Sequence, residues 1–232
     1  MNKVNRIAII PARYNSKRIK FKNIKKFYGK PIISYSILSA LKSKLFNKIH
    51  VSTDSKIIGS IAKKFGADID FYRNKILSND QTTLKDVLQF VVKKYESNSI
   101  YFDEIWLIHA CAPLINYKDL LKASKKYNRT MKKFPLITLR EYDGPIQWAF
   151  SKGKFNIFQS REKKMLNIDS KKLKKYFYDS ATFSIYSRKN LFSKKLTTKY
   201  YGYKLSKLNA VDIDNKEDWQ LAKLLFKKNS TK

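Results

Sequence analysis

Short apolar runs alternate with amphipathic helical segments through the first half of the sequence, and this alternation constrains the fold more than any other feature. The apolar run Ile7–Ile10 is long enough for one buried strand and stops at Pro11. Pro31 then opens a segment whose apolar residues recur on one helical face. Repeated strand–helix alternation predicts a three-layer α/β fold around a mostly parallel sheet.

The other predicted elements follow the same rhythm. We predict strands at Arg6–Pro11, Lys48–Ser52, Asp68–Tyr72, Glu104–His109 and Ala181–Tyr186. We predict helices from Pro31, near Ser55–Phe65, from near Thr83, near Tyr117–Tyr127 and at Lys216–Phe226. The core faces of the first and third helices are predicted to comprise Ile33, Ile37, Leu38, Leu41, Leu84, Val87, Leu88 and Val91. The rhythm breaks between residues 142 and 180, where the aromatic side chains indicate packing against another surface.

Length and composition favour one domain. The 232 residues, 43% of them hydrophobic, suit a single α/β domain over residues 1–232, with an extension at about 140–180. No apolar run approaches the roughly 18 residues of a membrane helix, and the first residues lack a signal-peptide pattern. Cys111 is the one cysteine, so a disulfide within the chain is excluded. We therefore expect a cytoplasmic protein that binds no membrane.

The formal net charge of +32 suggests two interpretations. A basic nucleic-acid-binding protein would explain it without catalysis. However, the basic residues are spread along the whole sequence, most are lysines, and no DNA- or RNA-binding motif is recognisable. We attribute the excess to a genome rich in A and T and expect no specific nucleic-acid partner. A basic surface would also attract anionic small substrates.

The segment after the first strand predicts an anion site. A polar loop follows Pro11 and carries guanidinium, ammonium, hydroxyl and amide groups, which suit phosphate oxygens. The sequence contains neither G-x-x-x-x-G-K-[ST] nor G-x-G-x-x-G, so neither common phosphate-loop motif applies. Ligands of parallel α/β sheets lie beyond the carboxyl ends of the strands, where this loop begins.

The string Pro-Ala-Arg-x-x-Ser-Lys-Arg-Ile-x-x-Lys-Asn, which spans Pro11 to Asn23, resembles the opening loop of the acylneuraminate cytidylyltransferase family. The resemblance implies a Rossmann-like nucleotide-diphospho-sugar transferase fold. It also implies an enzyme that joins CTP to a nonulosonic acid and releases pyrophosphate. Relatives often carry two glycines where this sequence has Tyr14 and Asn15, and Gly permits backbone conformations that Tyr does not.

The same resemblance assigns roles in the loop. Arg13, Ser16 and Lys17 would contact phosphates and nucleotide, and Lys22 and Asn23 would complete the CTP site. The catalytic candidates are Arg13, Lys17 and Lys22, because a cation that faces the leaving group would stabilise its developing charge. A solvated surface role is the alternative for each basic residue.

A second motif, Val-Asp-Ile-Asp, places Asp212 and Asp214 two residues apart. In a strand these carboxylates would share a face while Ile213 points into the core. Two carboxylates beside phosphates suit Mg²⁺, and the fuller string that ends at Trp219 resembles the family's C-terminal metal motif. The alternative is that Asp214 caps the helix that follows.

Two further motifs match the family in part. Arg73 follows the predicted third strand, as the family's arginine does, and Asp80 with Thr82 matches the loop that approaches the cytidine. An ion-pair role is the alternative for Arg73. At His109 to Pro113 only the closing Ala-Pro agrees with the family, so we do not assign His109 as a general base.

The second half carries the acceptor signals. By resemblance to a subgroup, the pseudaminic acid cytidylyltransferases, the sugar-binding candidates are Gln147, Arg161, Asp179 and Thr182. Ala181 replaces a glycine that this subgroup often has. Legionaminic or sialic acid is the alternative acceptor. Family members are commonly homodimers in which the extension reaches the neighbouring active site, and we expect the same here.

Overall fold

A six-stranded mixed sheet forms the centre of the protein. The computed structural model describes residues 4–16, 18–79, 81–195 and 197–230. The sheet order is β10-β6-β9-β5-β1-β4, and the strands are β1 (Arg6–Pro11), β2 (Lys26–Phe27), β3 (Lys30–Pro31), β4 (Lys48–Ser52), β5 (Glu104–Ile108), β6 (Leu136–Glu141), β7 (Phe150–Lys152), β8 (Phe158–Ser160), β9 (Phe177–Ser187) and β10 (Tyr201–Lys204). The pairs β1–β4, β1–β5 and β6–β10 are parallel, whereas β9 runs antiparallel between β5 and β6.

Helices cover both faces of this sheet. They are α1 (Ile33–Ser43), α2 (Lys56–Lys64), α3 (Leu84–Glu96), α4 (Tyr117–Asn128), α5 (Arg188–Leu191) and α6 (Lys216–Ser230). Along β1, Ala8 and Ile10 pack in one core with α1, α2 and α4, and Ile7 and Ile9 pack in a second core with α3 and α5. Alternate side chains of β1 are thus buried against helices on opposite faces of the sheet. A three-layer fold requires this of its central strands. The predicted fold class is confirmed.

Two expectations about the elements are wrong, and one predicted strand is longer than expected. Asp68–Tyr72 is not a strand: only Asp68 forms a bridge, with His50, and the Asp68 and Asp70 carboxylates turn towards Lys48. The strand predicted at Ala181–Tyr186 begins earlier, at Phe177. Three residues assigned to the helix core faces are partly exposed instead, namely Leu38 (37%), Leu41 (39%) and Leu84 (43%).

The stretch between β6 and β9 forms a separate feature, which we call the extension (residues 142–176). Its two-stranded hairpin, β7 and β8, lies outside the main sheet. Trp148 and Gln147 tie it together by donating to the carbonyls of Met165 (2.8 Å) and Lys174 (2.9 Å). Phe155 is 93% exposed, and Phe150 and Phe158 are also exposed. The expected packing of these aromatics is therefore not made within the described part of the chain.

The helices of the described residues include none that combines the length and the apolar character needed to cross a membrane.

Candidate active site

A cleft of about 610 Å³ opens where β1 and β5 end. Most of the predicted nucleotide and metal residues contribute to its walls. The described residues that line it are Pro11, Arg13, Ser16, Arg18, Lys22, Asn23, Arg73, Leu77, Ser78, Asn79, Thr82, Leu84, Val87, His109, Ala181, Asp212 and Asp214. Lys17 and Asp80, which we also proposed, lie outside the described residues. The cleft is at the carboxyl ends of parallel strands, where α/β sheets bind ligands.

Lys22 joins the two ends of the chain at this cleft. Its Nζ donates to the backbone carbonyl of Ile213 and lies 3.4 Å from Asp214 Oδ1. Arg18 Nη1 lies 2.6 Å from Asp214 Oδ2. The Lys22 side chain is 18% exposed and that of Arg18 is 66% exposed, so Lys22 is held more firmly than Arg18. A cation positioned in this way can face a phosphate without further rearrangement.

The loop after β1 is shaped by Asn23 and Phe21. Asn23 Nδ2 donates to the Arg13 carbonyl at 2.8 Å, which closes the loop on itself. Among the described residues of this loop the left-handed backbone conformation falls on Phe21, with φ of 55°. The Tyr14 ring packs 4.7 Å from the Phe21 ring, and its backbone N–H donates to Asp54 at 3.3 Å. The Tyr14 ring thus fixes this part of the loop by packing against Phe21.

Arg73 forms the wall of the cleft on the side of β4 and is only 6% exposed. Its backbone N–H donates to the Thr53 carbonyl at 2.8 Å, and its Nε donates to Ser78 Oγ at 3.1 Å. Burial lowers the pKa of the Arg73 guanidinium, with Asp54 opposing that change and Arg13 adding to it. A buried guanidinium that lines a cleft beside Arg13 makes this wall suitable for a multiply charged anion.

Thr82 is placed by a turn around Asn79. The Asn79 Oδ1 accepts from the Thr82 backbone N–H and hydroxyl, both at 2.9 Å. Asn side chains commonly organise turns in this manner. The turn brings Thr82 and Asn79 to the cleft wall next to Arg73.

Asp212 and Asp214 both line the cleft, as predicted, although they do not lie in a strand. Ile213 between them is 1% exposed and packs in a core with Trp219, so the expected alternation holds in an extended segment. Asn215 and Asp218 cap α6 reciprocally: Asn215 Oδ1 accepts from Asp218 N, and Asp218 Oδ2 accepts from Asn215 N, each at 2.9 Å. The capping alternative for Asp214 is therefore wrong.

The two carboxylates fit a divalent cation that is shared with phosphate. Burial, followed by the charge of Asp214, raises the pKa of Asp212, and a cation would relieve both effects. The described residues contain no group of three or more His, Cys, Asp and Glu side chains that could hold a metal. A Mg²⁺ ion at Asp212 and Asp214 would thus take its other ligands from phosphate and water, as Mg²⁺ usually does.

His109 and Cys111 do not form a nucleophilic pair. The Cys111 thiol donates to Asn23 Oδ1 at 3.2 Å, and burial raises its pKa to about 12. Burial, aided by the charge of Lys22, lowers the pKa of His109 to about 4, so its imidazole is neutral near pH 7. Such a thiol stays protonated and unreactive. His109 nevertheless lines the cleft.

The sugar-binding candidates are not among the residues that line the cleft. Gln147 is buried in the extension and Arg161 is exposed on it, and neither is among the residues that line the cleft. Thr182 is 3% exposed and its hydroxyl lies 3.2 Å from that of Ser180. Asp179 Oδ1 accepts from the Ala181 backbone N–H at 2.9 Å. Asp179 and Thr182 therefore flank the cleft residue Ala181 rather than line the cleft themselves.

Sequence reasoning missed several cleft residues. Arg18 is not among the predicted site residues. Its position in the loop motif, between Lys17 and Lys22, was a usable signal. Asn79 and Leu84 gave no comparable signal, because a turn residue and an apolar helix residue have common structural uses. His109 and Ala181 were noticed only as departures from the family pattern.

Comparisons with known proteins agree with this geometry. A family model described as "Cytidylyltransferase" matches residues 7–230. The sequence is 36% identical to a pseudaminic acid cytidylyltransferase of Campylobacter jejuni, over 96% of this chain and 97% of that protein. It is 27% identical to a CMP-N,N'-diacetyllegionaminic acid synthase of Legionella pneumophila, again over 96% and 97%. In fold it is similar to a CMP:2-keto-3-deoxy-manno-octonic acid synthetase solved with CTP, with a TM-score of 0.70, 15% identity and coverage of 97% and 99%.

Proposed function

Because the chain belongs to the cytidylyltransferase family, and is thus a nucleotidyltransferase, we propose that it transfers the cytidylyl group of CTP to pseudaminic acid. The observation that carries this proposal is the cleft in which a cationic loop faces two carboxylates. In the reaction a hydroxyl oxygen of the sugar acid attacks the α-phosphorus. The bond from that phosphorus to the bridging oxygen of pyrophosphate breaks, and the hydroxyl proton passes to solvent. Through its product, a CMP-sugar, the enzyme would serve the glycosylation of flagellin or other surface glycans.

The choice of pseudaminic acid rests on the relatives. The pseudaminic acid enzyme of Campylobacter jejuni is 36% identical, whereas the legionaminic acid synthase of Legionella pneumophila is 27% identical over a similar length. A legionaminic or sialic acid acceptor is the alternative within the same reaction class. Since CTP is a cytoplasmic metabolite, we also propose that the enzyme works in the cytoplasm.

The proposed roles follow the walls of the cleft. Arg13, Ser16 and Arg73 would hold the triphosphate and nucleotide on the side of β1 and β4, together with Asn23 and Thr82. Lys22 would face the departing pyrophosphate, where a fixed cation stabilises the developing negative charge. Catalysis of this kind depends mostly on positioning and electrostatics.

We further propose that Asp212 and Asp214 hold Mg²⁺ with the triphosphate. The donor set supports this proposal, because paired carboxylates beside a phosphate-binding cleft suit that ion. The chemistry that magnesium supplies in such a site is neutralisation of phosphate charge. Arg18 and Lys22 contact Asp214, and these two contacts hold its carboxylate at the wall of the cleft.

The exposed aromatics of the extension support a homodimer. Phe150, Phe155 and Phe158 are each exposed on an arm outside the main sheet, and a second copy would cover them. In such a dimer Gln147 and Arg161 of one subunit would approach the cleft of the other. Sedimentation velocity should give a dimer for the wild type and a larger monomer fraction for Phe155→Ser. The control is Met131→Ser, because Met131 is also 93% exposed but lies outside the extension. A wild-type monomer at micromolar concentration would contradict this proposal.

A pyrophosphate-release assay tests the proposed reaction. CTP and Mg²⁺ are supplied with pseudaminic, legionaminic, sialic or 3-deoxy-manno-octulosonic acid in separate reactions. We expect the highest kcat/KM with pseudaminic acid, and CMP-sugar as the product by mass spectrometry. A folded protein that releases pyrophosphate with none of these acids would overturn the proposal, and a clear preference for another acid would correct the acceptor.

A further inference from the structure

Strand β9 carries a bulge of four residues at the edge of the cleft. Its pairing with β6 shifts register between Ile137 and Leu139, so that residues 180–183 of β9 oppose the single residue Thr138. The Thr138 hydroxyl enters the bulge, donating to the Phe183 carbonyl at 3.0 Å and accepting from the Phe183 N–H at 3.3 Å. On the other side the His109 N–H donates to the Thr182 carbonyl at 3.0 Å. Both neighbouring strands therefore hold the bulge in place.

The bulge presents Ala181 to the cleft. The hydroxyls of Ser180 and Thr182 are buried and lie 3.2 Å apart, while Ala181 between them lines the cleft. Ala181 has a φ of 47°, in the left-handed region that favours glycine. The Asp179 carboxylate accepts the Ala181 N–H at 2.9 Å and fixes this conformation. Bulges beside active sites commonly re-aim a side chain, and strained residues cluster at such sites.

Ala181 lies on the side of the cleft opposite Arg73. In the sheet order, β5 and β9 are on one side of β1, and β4, whose following loop leads to Arg73, is on the other. Ala181 also lines a narrower recess of about 110 Å³. The walls that this recess shares with the main cleft include Lys22, Asn23, Leu84, His109 and Asp212, whereas Arg13, Ser16, Arg73 and Thr82 line the main cleft alone. This recess lies beside Lys22 and Asp212 but away from Arg13 and Arg73, so a small substituent of an acceptor next to the reacting phosphate would lie there.

We propose that Ala181 is a specificity-determining residue: its methyl group, raised by the bulge of β9, limits the size of the acceptor substituent that enters the recess beside Leu84 and His109. This inference rests on the proposed function, since it concerns the acceptor of that reaction. A glycine at position 181 would keep the backbone conformation and deepen the recess by one methyl group. One methylene in such a pocket typically changes discrimination by about tenfold or more.

The test compares wild type with Ala181→Gly on two acceptors. One is pseudaminic acid and the other is the same acid with an N-acyl group that is longer by one methylene. We expect Ala181→Gly to raise the kcat/KM ratio of the longer to the normal acceptor by about tenfold, with the KM for CTP unchanged.

The matched control is Ser99→Gly. Ser99 also has a positive φ, 60°, but it lies in an exposed turn after α3 and does not line the cleft. Both variants should raise the Tm by relieving the same backbone strain, and only Ala181→Gly should change the acceptor ratio. An active wild type whose ratio is the same in Ala181→Gly overturns this inference alone. A wild type that turns over no nonulosonic acid overturns the proposed function and this inference with it.

Discussion

Lys22 Nζ lies 3.4 Å from Asp214 Oδ1 although 192 residues separate the two in sequence. The contact joins the loop after the first strand to the segment before the last helix, and both line the same cleft. Opposite charges at this point hold each other in place at the wall of the cleft. The sequence motifs at the two ends of the chain therefore form one site.

Lys22→Met should reduce kcat by about 100-fold or more, because a fixed charge facing the leaving group is lost. The matched control is Lys20→Met. Lys20 belongs to the same loop but is exposed and does not line the cleft, so its loss should change kcat by less than about twofold. Steady-state pyrophosphate release measures both variants, and equal effects from the two would contradict the assignment of Lys22.

Asp212→Asn should abolish turnover and raise the Mg²⁺ concentration needed for CTP binding, because half of the carboxylate pair is lost. Its Tm should stay within a few degrees of wild type, since Asp212 is an exposed residue and the fold raises the pKa of its carboxylate rather than stabilising its charge. Glu217→Gln is the control, as Glu217 is an exposed carboxylate in the first turn of α6. Near-normal turnover of Asp212→Asn would show that the metal assignment is wrong.

Arg73→Lys should raise the KM for CTP by about tenfold or more, since an ammonium cannot reproduce the planar guanidinium hydrogen bonds. Arg73 is buried and its Nε already donates to Ser78, so the geometry of the wall depends on that fork. Arg188→Lys, at an exposed ion pair with Glu96, is the comparison and should leave the KM unchanged. Isothermal titration calorimetry measures the affinity for CTP directly, and an affinity of Arg73→Lys equal to that of wild type would contradict this prediction.

Stability should fall as the pH drops from about 6.5 to about 4. Burial lowers the pKa of both His50 and His109 to about 4, so in this window the unfolded chain binds protons that the folded protein does not. The free energy of unfolding should then decrease by up to about 1.4 kcal/mol per pH unit for each histidine. Urea unfolding at pH 4.5, 5.5, 6.5 and 7.5 measures the slope.

His50→Phe provides the matched test of that slope. His50 is fully buried between Phe71 and Tyr95, and its Nδ1 lies 3.0 Å from the Tyr95 hydroxyl. Because a phenylalanine cannot take up a proton, the variant should show about half of the wild-type pH slope. A wild-type stability that is flat between pH 4.5 and 6.5 would be inconsistent with two buried neutral histidines.

The fold was largely predictable because hydrophobic periodicity reports burial directly. The error at Asp68–Tyr72 shows the limit: Ile69 and Phe71 alternate with aspartates as in a strand, but the aspartates pair with Lys48 and only Asp68 forms a bridge to the sheet. The spacing of Leu84 predicts a core residue, yet Leu84 lines the cleft. Periodicity cannot separate a core from the wall of a cavity, because both require apolar side chains.

The candidate site was predictable where chemistry is local in sequence, as in the loop after β1 and the Asp212–Asp214 pair. It was not predictable where it depends on strand register. The position of Ala181 follows from a bulge that Thr138 in β6 and His109 just after β5 hold from either side, and no spacing within β9 reveals those partners.

The antiparallel position of β9 has a consequence for how the protein is made on the ribosome. Strands β5 and β6 leave the ribosome well before β9, yet they are joined in the sheet only through it. Until residue 187 has been synthesised, each of them exposes an unpaired edge. The carboxylates of the cleft and the helix that follows them emerge later still, so a nascent chain would complete its sheet before the segment that carries these carboxylates could close the cleft.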